Sequence, residues 1–359
     1  MEAYLGPIKD AIILFPIIAF LITIPYMIFH YHKYGSISKY RTIIIYSFIL
    51  YLICAYCLIV LPLPSFDYVS KLTTARTQLI PFNFIGTFFS ESGFVLSNFS
   101  TYIPALKHAS FYQVAYNLVL LLPLGVYLRY YFKCSFKKTL FITFGVSLFF
   151  ELTQLSGLYF VYPRGYRLFD VDDLIINTLG GVLGYLFVSP FMKLLPTRDS
   201  IDEKAFVTGK KVSGIRRILA FSIDFILCMI TYILVVSLMS VISFRSTLDS
   251  LIFLTFFMII PILTRGFSVG KALVKIRICG EDGSKASTLQ ILLRCVFIYL
   301  LLYAPLLIRL PIYFEFIFLL FILVFYSYLF IQLLRGKSLF YEKWTKTKLV
   351  SVIPIKGEK

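Results

Sequence analysis

Runs of about twenty apolar residues, the helical length that crosses a hydrocarbon core of roughly 30 Å, recur along this chain and leave it few other ways to fold. They lie near 11–30, 42–62, 111–132, 138–158, 173–192, 218–242, 248–264, 290–308 and 312–334, nine expected spans. The seventh is the shortest and carries Pro261 near its end. In lipid a spanning segment must satisfy its own backbone polar groups, so the runs predict helices and an all-α, polytopic integral membrane protein. Only 15% of the residues are charged, against roughly 25% in a soluble domain. The net charge of +17 would suit a nucleic acid, but no basic stripe is separable from the apolar runs, so no nucleic-acid partner is expected.

Assigning the loops alternately to two sides places 27 of the 35 Lys and Arg on one side. These are Lys33, Lys39 and Arg41, the group from Arg129 to Lys138, those within 193–217 and within 265–294, and those from Arg335 onward. The other side holds Lys9, Lys71, Arg76, Lys107, Arg164, Arg167, Arg245 and Arg309. Basic loops stay in the cytoplasm, so the N-terminus is expected outside and the C-terminus inside. The first ten residues carry Glu2, Lys9 and Asp10 rather than the basic start of a cleaved signal, so the first helix is expected to be retained. The polar stretch 193–217 divides the spans into bundles of five and four helices. The expected parts are a first helix with its basic cytoplasmic loop (1–40), a membrane domain (41–195), a linker (196–214) and a second membrane domain with a basic tail (215–359). The outer stretch 63–110 keeps aromatic pairs such as Phe88-Phe89 and is expected to re-enter the membrane or lie at its interface.

Ionisable residues inside membrane units are costly, roughly 2.5–3.5 kcal/mol each at a helix centre, and mark functional candidates. Glu151, Gln154 and Ser147 share one face of the fourth span. Asp170 or Asp172 is placed to cap the fifth, where acids also meet the positive end of the helix dipole. Asp170, Asp173 and Asn177 form a stripe that continues into Gly180 and Gly184, a GxxxG that admits a close helix neighbour. With Arg164, Arg167 and Asn117, these residues outline either a structural network of arginine–carboxylate pairs and caps or a polar pocket for a head group or cation. A second place is Arg217 and Asp224, two turns apart on one face at the start of the sixth span, where Asp224 is expected to pair with a partner on a neighbouring helix or to line an ion or proton path. The segment Gly266 to Arg277 has the spacing of an interface-lying helix.

The three His show no metal-ligand spacing, and two guanidiniums compete for the acids, so neither a metal nor a cofactor is expected. Catalytic motifs are missing too, and no catalytic residue is assigned. Cys54 and Cys57 form a CxxC in the middle of an apolar run and read as packing residues.

On these motifs the first membrane unit resembles the VanZ-like family over about residues 40–195. The matching features are Pro81-Phe82-Asn83-Phe84-Ile85, the run from Asn117 to Gly125, Glu151-Leu152-Thr153-Gln154, and Arg167 to Asp173 leading into Asn177-Thr178-Leu179-Gly180-Gly181. The second unit resembles an RDD domain through Arg217, Ala220 and Asp224, Gly266 to Arg277, Arg294, and Phe340 to Val350. It departs from that family where a His-Asp pair is usual and Tyr341-Glu342 stand. The first resemblance implies a multi-pass membrane protein of a Gram-positive bacterium linked to resistance against lipidated, teicoplanin-like glycopeptide antibiotics. The second implies a looser link to transport. The leading expectation is a non-enzymatic envelope protein whose outward pocket engages an envelope lipid, a lipid-linked cell-wall precursor or the drug. The alternatives are a transporter or ion exchanger built on the second unit, or a membrane enzyme acting on lipid-linked substrates.

Overall fold

A computed structural model describes residues 2–239, 245–308 and 311–353. Arg309, Lys356 and Lys359, counted above, and the end of the sixth expected span at 240–242 lie outside the described residues. The chain forms two units, Met1–Leu21 with Tyr40–Ser200, and Ile22–Lys39 with Ile201–Lys359. The long helix α1 (Glu2–Tyr34) contributes to both.

In the first unit the main helices are α2 (Lys39–Val60), α3 (Asn83–Glu91), α4 (Ala109–Leu120), α5 (Leu122–Tyr130), α6 (Phe136–Leu155) and α7 (Val171–Phe191). The third expected span is interrupted at Leu121, and Pro123 in the first turn of α5 starts the second piece. The aromatic stretch 63–110 holds only short helices, and a two-residue strand β1 (Thr77–Gln78) pairs in parallel with β2 (Phe169–Asp170).

Helix α6 shows how the unit is built. Thr139, Thr143, Ser147 and Glu151 recur every fourth residue, so they share one face, and all are at most 1% exposed. On the far side Phe141 is 73% exposed. A helix that hides its polar stripe and displays phenylalanine is arranged for lipid, where apolar surface needs no cover and polar groups must find partners inside.

Helix α7 packs against this stripe and against α4 and α5 through glycine. A Cβ at Gly180 would strike the Leu118 carbonyl, one at Gly184 the Leu122 carbonyl, and one at Gly181 the Thr143 side chain. The backbones therefore approach closely, as small residues permit between membrane helices.

The second unit carries α8 (Arg198–Gly209, mostly in this unit), α9 (Gly214–Met239), α10 (Arg245–Leu254, continued by a π turn and Ile260–Leu263), α11 (Val269–Leu273), α12 (Thr288–Leu307), α13 (Ile312–Leu334) and α14 (Phe340–Trp344). Gly266 to Arg277 is not one interface-lying helix. Only α11 is helical, and Lys275 at φ 57° turns the chain into β3 (Ile276–Gly280), which pairs antiparallel with β4 (Thr347–Ser351). The mainly helical fold thus includes one ribbon, with Ile276 and Ile278 buried on one side of it.

Among the described residues six helices are long and apolar enough to cross a membrane: Leu5–Tyr34, Lys39–Val60, Ala109–Tyr130, Val171–Phe191, Gly214–Ser237 and Phe314–Leu334. Two shorter apolar helices, Leu248–Leu263 and Thr288–Tyr303, and the polar-striped α6 occupy the remaining expected spans.

Ala at Gly180 or Gly184 is expected to lower the melting temperature of detergent-purified protein, since overpacking against backbone costs about 1–3 kcal/mol. Gly145, also on a helix, has open space where a Cβ would stand, with no neighbouring atom within 4 Å, so Gly145→Ala should be neutral or slightly stabilising. Equal melting of the three variants would refute the close packing.

Candidate functional site

Pairing of β1 with β2 brings Gln78 opposite Asp170 at the start of α7. The Asp170 carboxylate accepts from the Asp172 amide at 2.8 Å, the N-cap bond of the helix. Gln78 Nε2 donates to Asp170 at 3.3 Å and to Asp172 at 3.5 Å. Burial pushes the Asp170 carboxyl above its ordinary range, against the opposing effect of the Asp172 amide. The Asp172 oxygens also accept from the Phe82 amide at 2.5 Å and the Phe84 amide at 2.8 Å. Phe82 lies in the left-handed region at φ 64°. Asp172 therefore fastens the turn ahead of α3, matching backbone donors that an apolar loop could not pair itself.

In the first turn of α7, Asp173 accepts from Asn117 Nδ2, and its carbonyl accepts from Ser147 Oγ at 3.4 Å. Asn177 Nδ2 donates to Ser147 Oγ at 3.2 Å, while Asn177 Oδ1 is buried with no hydrogen-bond partner among the described residues. Glu151 accepts from the Asp170 amide at 3.0 Å. Gln154 Nε2 reaches the Ile59 carbonyl at 3.5 Å.

The arginines do not form the expected pairs with carboxylates within hydrogen-bond reach. Arg167 donates to the Leu61 carbonyl at 2.8 Å and the Leu58 carbonyl at 3.4 Å, and Arg164 to the Thr74 carbonyl at 2.6 Å and to Leu72. For Arg167 the reason lies in α2: its last carbonyls have no intrahelical donors and carry the negative end of the helix dipole, so a guanidinium satisfies them directly.

A cavity of about 620 Å³ opens among these groups. Asn117, Gln154, Arg167, Asp170 and Asp173 line its polar part, and Leu58, Ile59, Val119 and Leu120 its apolar part. A smaller space of about 70 Å³ adjoins Asp170, Asp172 and Asp173. Glu151, Asn177 and Arg164 line neither space. Gln113 and Tyr116 also line the larger cavity and are absent from the sequence-based set. Their spacing with Asn117, i to i+3 and i+4 on one helix, is the signal that places them on the same face. Among the described residues no group of three or more His, Cys, Asp or Glu could hold a metal ion.

In the second unit Asp224 and Arg217 each pair with a residue of another element. Asp224 is fully buried and accepts from Ser268 Oγ at 2.5 Å and the Gly270 amide at 2.7 Å, with Lys271 Nζ at 3.5 Å. It thereby caps the first turn of α11. Arg217 meets Glu342 at 3.0 Å, and Arg294 takes the other oxygen of Glu342 at 2.9 Å. Burial pushes the Glu342 carboxyl up, but the guanidiniums of Arg294 and Arg217 outweigh it and hold it below its ordinary 4.5. Arg216, which no motif singled out, is fully buried and donates to the carbonyls of Val274 at 2.7 Å, Lys275 at 2.7 Å and Gly209 at 2.9 Å, and to Ser351 Oγ at 3.2 Å.

These features define a multi-pass helical membrane protein with a polar cavity among the helices of its first unit. Residues 48–194 match the VanZ/LLP1 family and residues 212–346 match the RDD family. The chain is thus a multi-pass bacterial membrane protein in which a VanZ-like domain is followed by a C-terminal RDD domain. No curated protein and no solved structure matches it.

The Glu342 pairs set a pH dependence. A carboxyl whose folded pKa lies below its unfolded value adds stability that is complete above about 4.5 and is lost as pH falls through the folded value. Melting temperature should therefore drop on acidification below that point. Glu342→Gln should flatten this drop and cost roughly 3–5 kcal/mol near neutrality, because two guanidiniums lose their shared partner. An unaltered acid limb in that variant would show that other carboxylates govern it.

Proposed function

We propose that the first unit is a receptor for an amphiphile of the bacterial envelope, and that it lowers the action of lipidated, teicoplanin-like glycopeptides at the membrane. The observation that carries this reading is the larger cavity, which joins a polar part around Asn117, Gln154, Arg167, Asp170 and Asp173 to an apolar part around Leu58, Val119 and Leu120. A lipid-linked cell-wall precursor, an envelope lipid and a lipidated drug all combine a hydrogen-bonding head with an apolar chain, and such a cavity suits that combination. Two carboxylates against one guanidinium favour a head that brings amine or amide donors over a purely anionic one. The proposed arrangement has nine spans in bundles of five and four. The bias of basic residues argues for an outside N-terminus, which sets the Glu151 to Asn177 cluster toward the outer leaflet, where the antibiotic arrives. Gln113 and Tyr116 join the proposed contact set, while Glu151, Asp172, Asn177 and Arg164 act by positioning the wall.

The test is expression in a susceptible host, with inhibitory concentrations compared for a lipidated glycopeptide and its unlipidated counterpart. Several-fold protection confined to the lipidated compound is expected, and Asp173→Asn or Arg167→Gln should remove most of it at equal membrane abundance. Equal protection against both compounds would discard the acyl-chain part of the reading. Full protection by both variants would discard the cavity.

A further inference from the structure

The second unit contains a cavity of about 530 Å³, within the roughly 300–1,000 Å³ of small-ligand pockets. Its two ends differ in chemistry. Where α9 and α12 begin, Arg217, Arg294, Tyr341 and Glu342 face it. Away from them it runs between α9, α12 and α13 past Phe221, Ile298, Leu302 and Leu323. From Arg294 to Leu302 the wall follows about 12 Å of helix at 1.5 Å per residue. That is a slot of acyl-chain dimensions with a charged mouth.

The charges at the mouth do not balance. Two guanidiniums, Arg217 and Arg294, share the single carboxylate of Glu342. Lys271 also lines the cavity, but its ammonium is engaged by Ser268 Oγ at 2.9 Å and Asp224 at 3.5 Å. One positive charge is left over, and Arg217 Nε is buried with no hydrogen-bond partner among the described residues. A buried guanidinium donor is costly to leave unpaired, and its planar fork matches the oxygens of a phosphate.

We propose that this cavity binds an anionic membrane lipid, with its phosphate at Arg217 and Arg294 and one acyl chain between α9, α12 and α13. Charge complementarity and the apolar slot select this occupant together. A free anion would satisfy the arginines and leave the slot uncovered, and a zwitterionic lipid would carry a cation toward two guanidiniums. The site lies within the second unit and does not depend on the function proposed for the first.

The test is the melting temperature of the full chain, purified in a neutral detergent, with added phosphatidylglycerol, phosphatidylcholine or inorganic phosphate. A concentration-dependent rise of several degrees is expected with phosphatidylglycerol alone. Arg217→Gln keeps the Arg294–Glu342 pair and removes the surplus charge, so the two lipids should become equivalent. Leu302→Trp fills the slot without touching the mouth and should abolish most of the phosphatidylglycerol shift. Equal shifts with both lipids on the unaltered chain would overturn the proposal in favour of a non-selective lipid shell. A shift of the same size with phosphate alone would overturn it in favour of a bare anion site. An undiminished shift in Leu302→Trp would also overturn it.

Discussion

The close seating of α7 on α4 and α5 is the contact on which the first unit depends. Glycine at 180 and 184 lets the α7 backbone reach the Leu118 and Leu122 carbonyls, and this approach fixes the position of every residue on the same stripe. Asn117 on α4 then meets Asp173, and Ser147 on α6 meets Asn177 and the Asp173 carbonyl. A wider helix separation would break these bonds together, because each spans two helices and none has slack at hydrogen-bond length. The glycines are small residues with a polar consequence.

Both units solve the problem of burying charge by using backbone groups. In the first unit acids are held by amides: Asp170 by the amide of Asp172, Asp172 by those of Phe82 and Phe84, and Glu151 by that of Asp170. In the second, arginine is held by carbonyls, and Arg216 makes three such bonds. Loops inside a membrane protein need donors and acceptors brought to them, and these side chains supply what the secondary structure leaves unpaired.

Much of this architecture was legible in the sequence, for physical reasons that apply to particular residues. Apolar run length reports helices directly, and the small and acidic stripe from Asp170 to Gly184 reported a packed face. The partners of the charges were harder to read. Arg164 and Arg167 lie near several aspartates in sequence, yet both bind backbone carbonyls, Arg167 at the end of α2 and Arg164 in the loop beyond it at Leu72 and Thr74, partners set by the three-dimensional fold. The antiparallel ribbon was hidden because Gly266 to Arg277 alternates basic and apolar residues in a way that also suits an amphipathic helix, and its partner strand follows three further helices. Glu342 stands where the RDD pattern usually has aspartate, and the structure shows the carboxylate bridging two arginines all the same. Gln113 and Tyr116 were visible as a helix face but carried no charge to draw attention.

The buried Arg216 has a consequence for how the chain is made. Its acceptors come from Gly209 before it, Val274 and Lys275 after it, and Ser351 near the end of the described chain. Arg294 likewise donates to Thr347. During synthesis from the N-terminus, both guanidiniums exist long before β4 does, so the second unit cannot finish assembling helix by helix as it leaves the ribosome. Its polar interior closes only when the last strand arrives, which makes β4 a latch on spans already in the membrane.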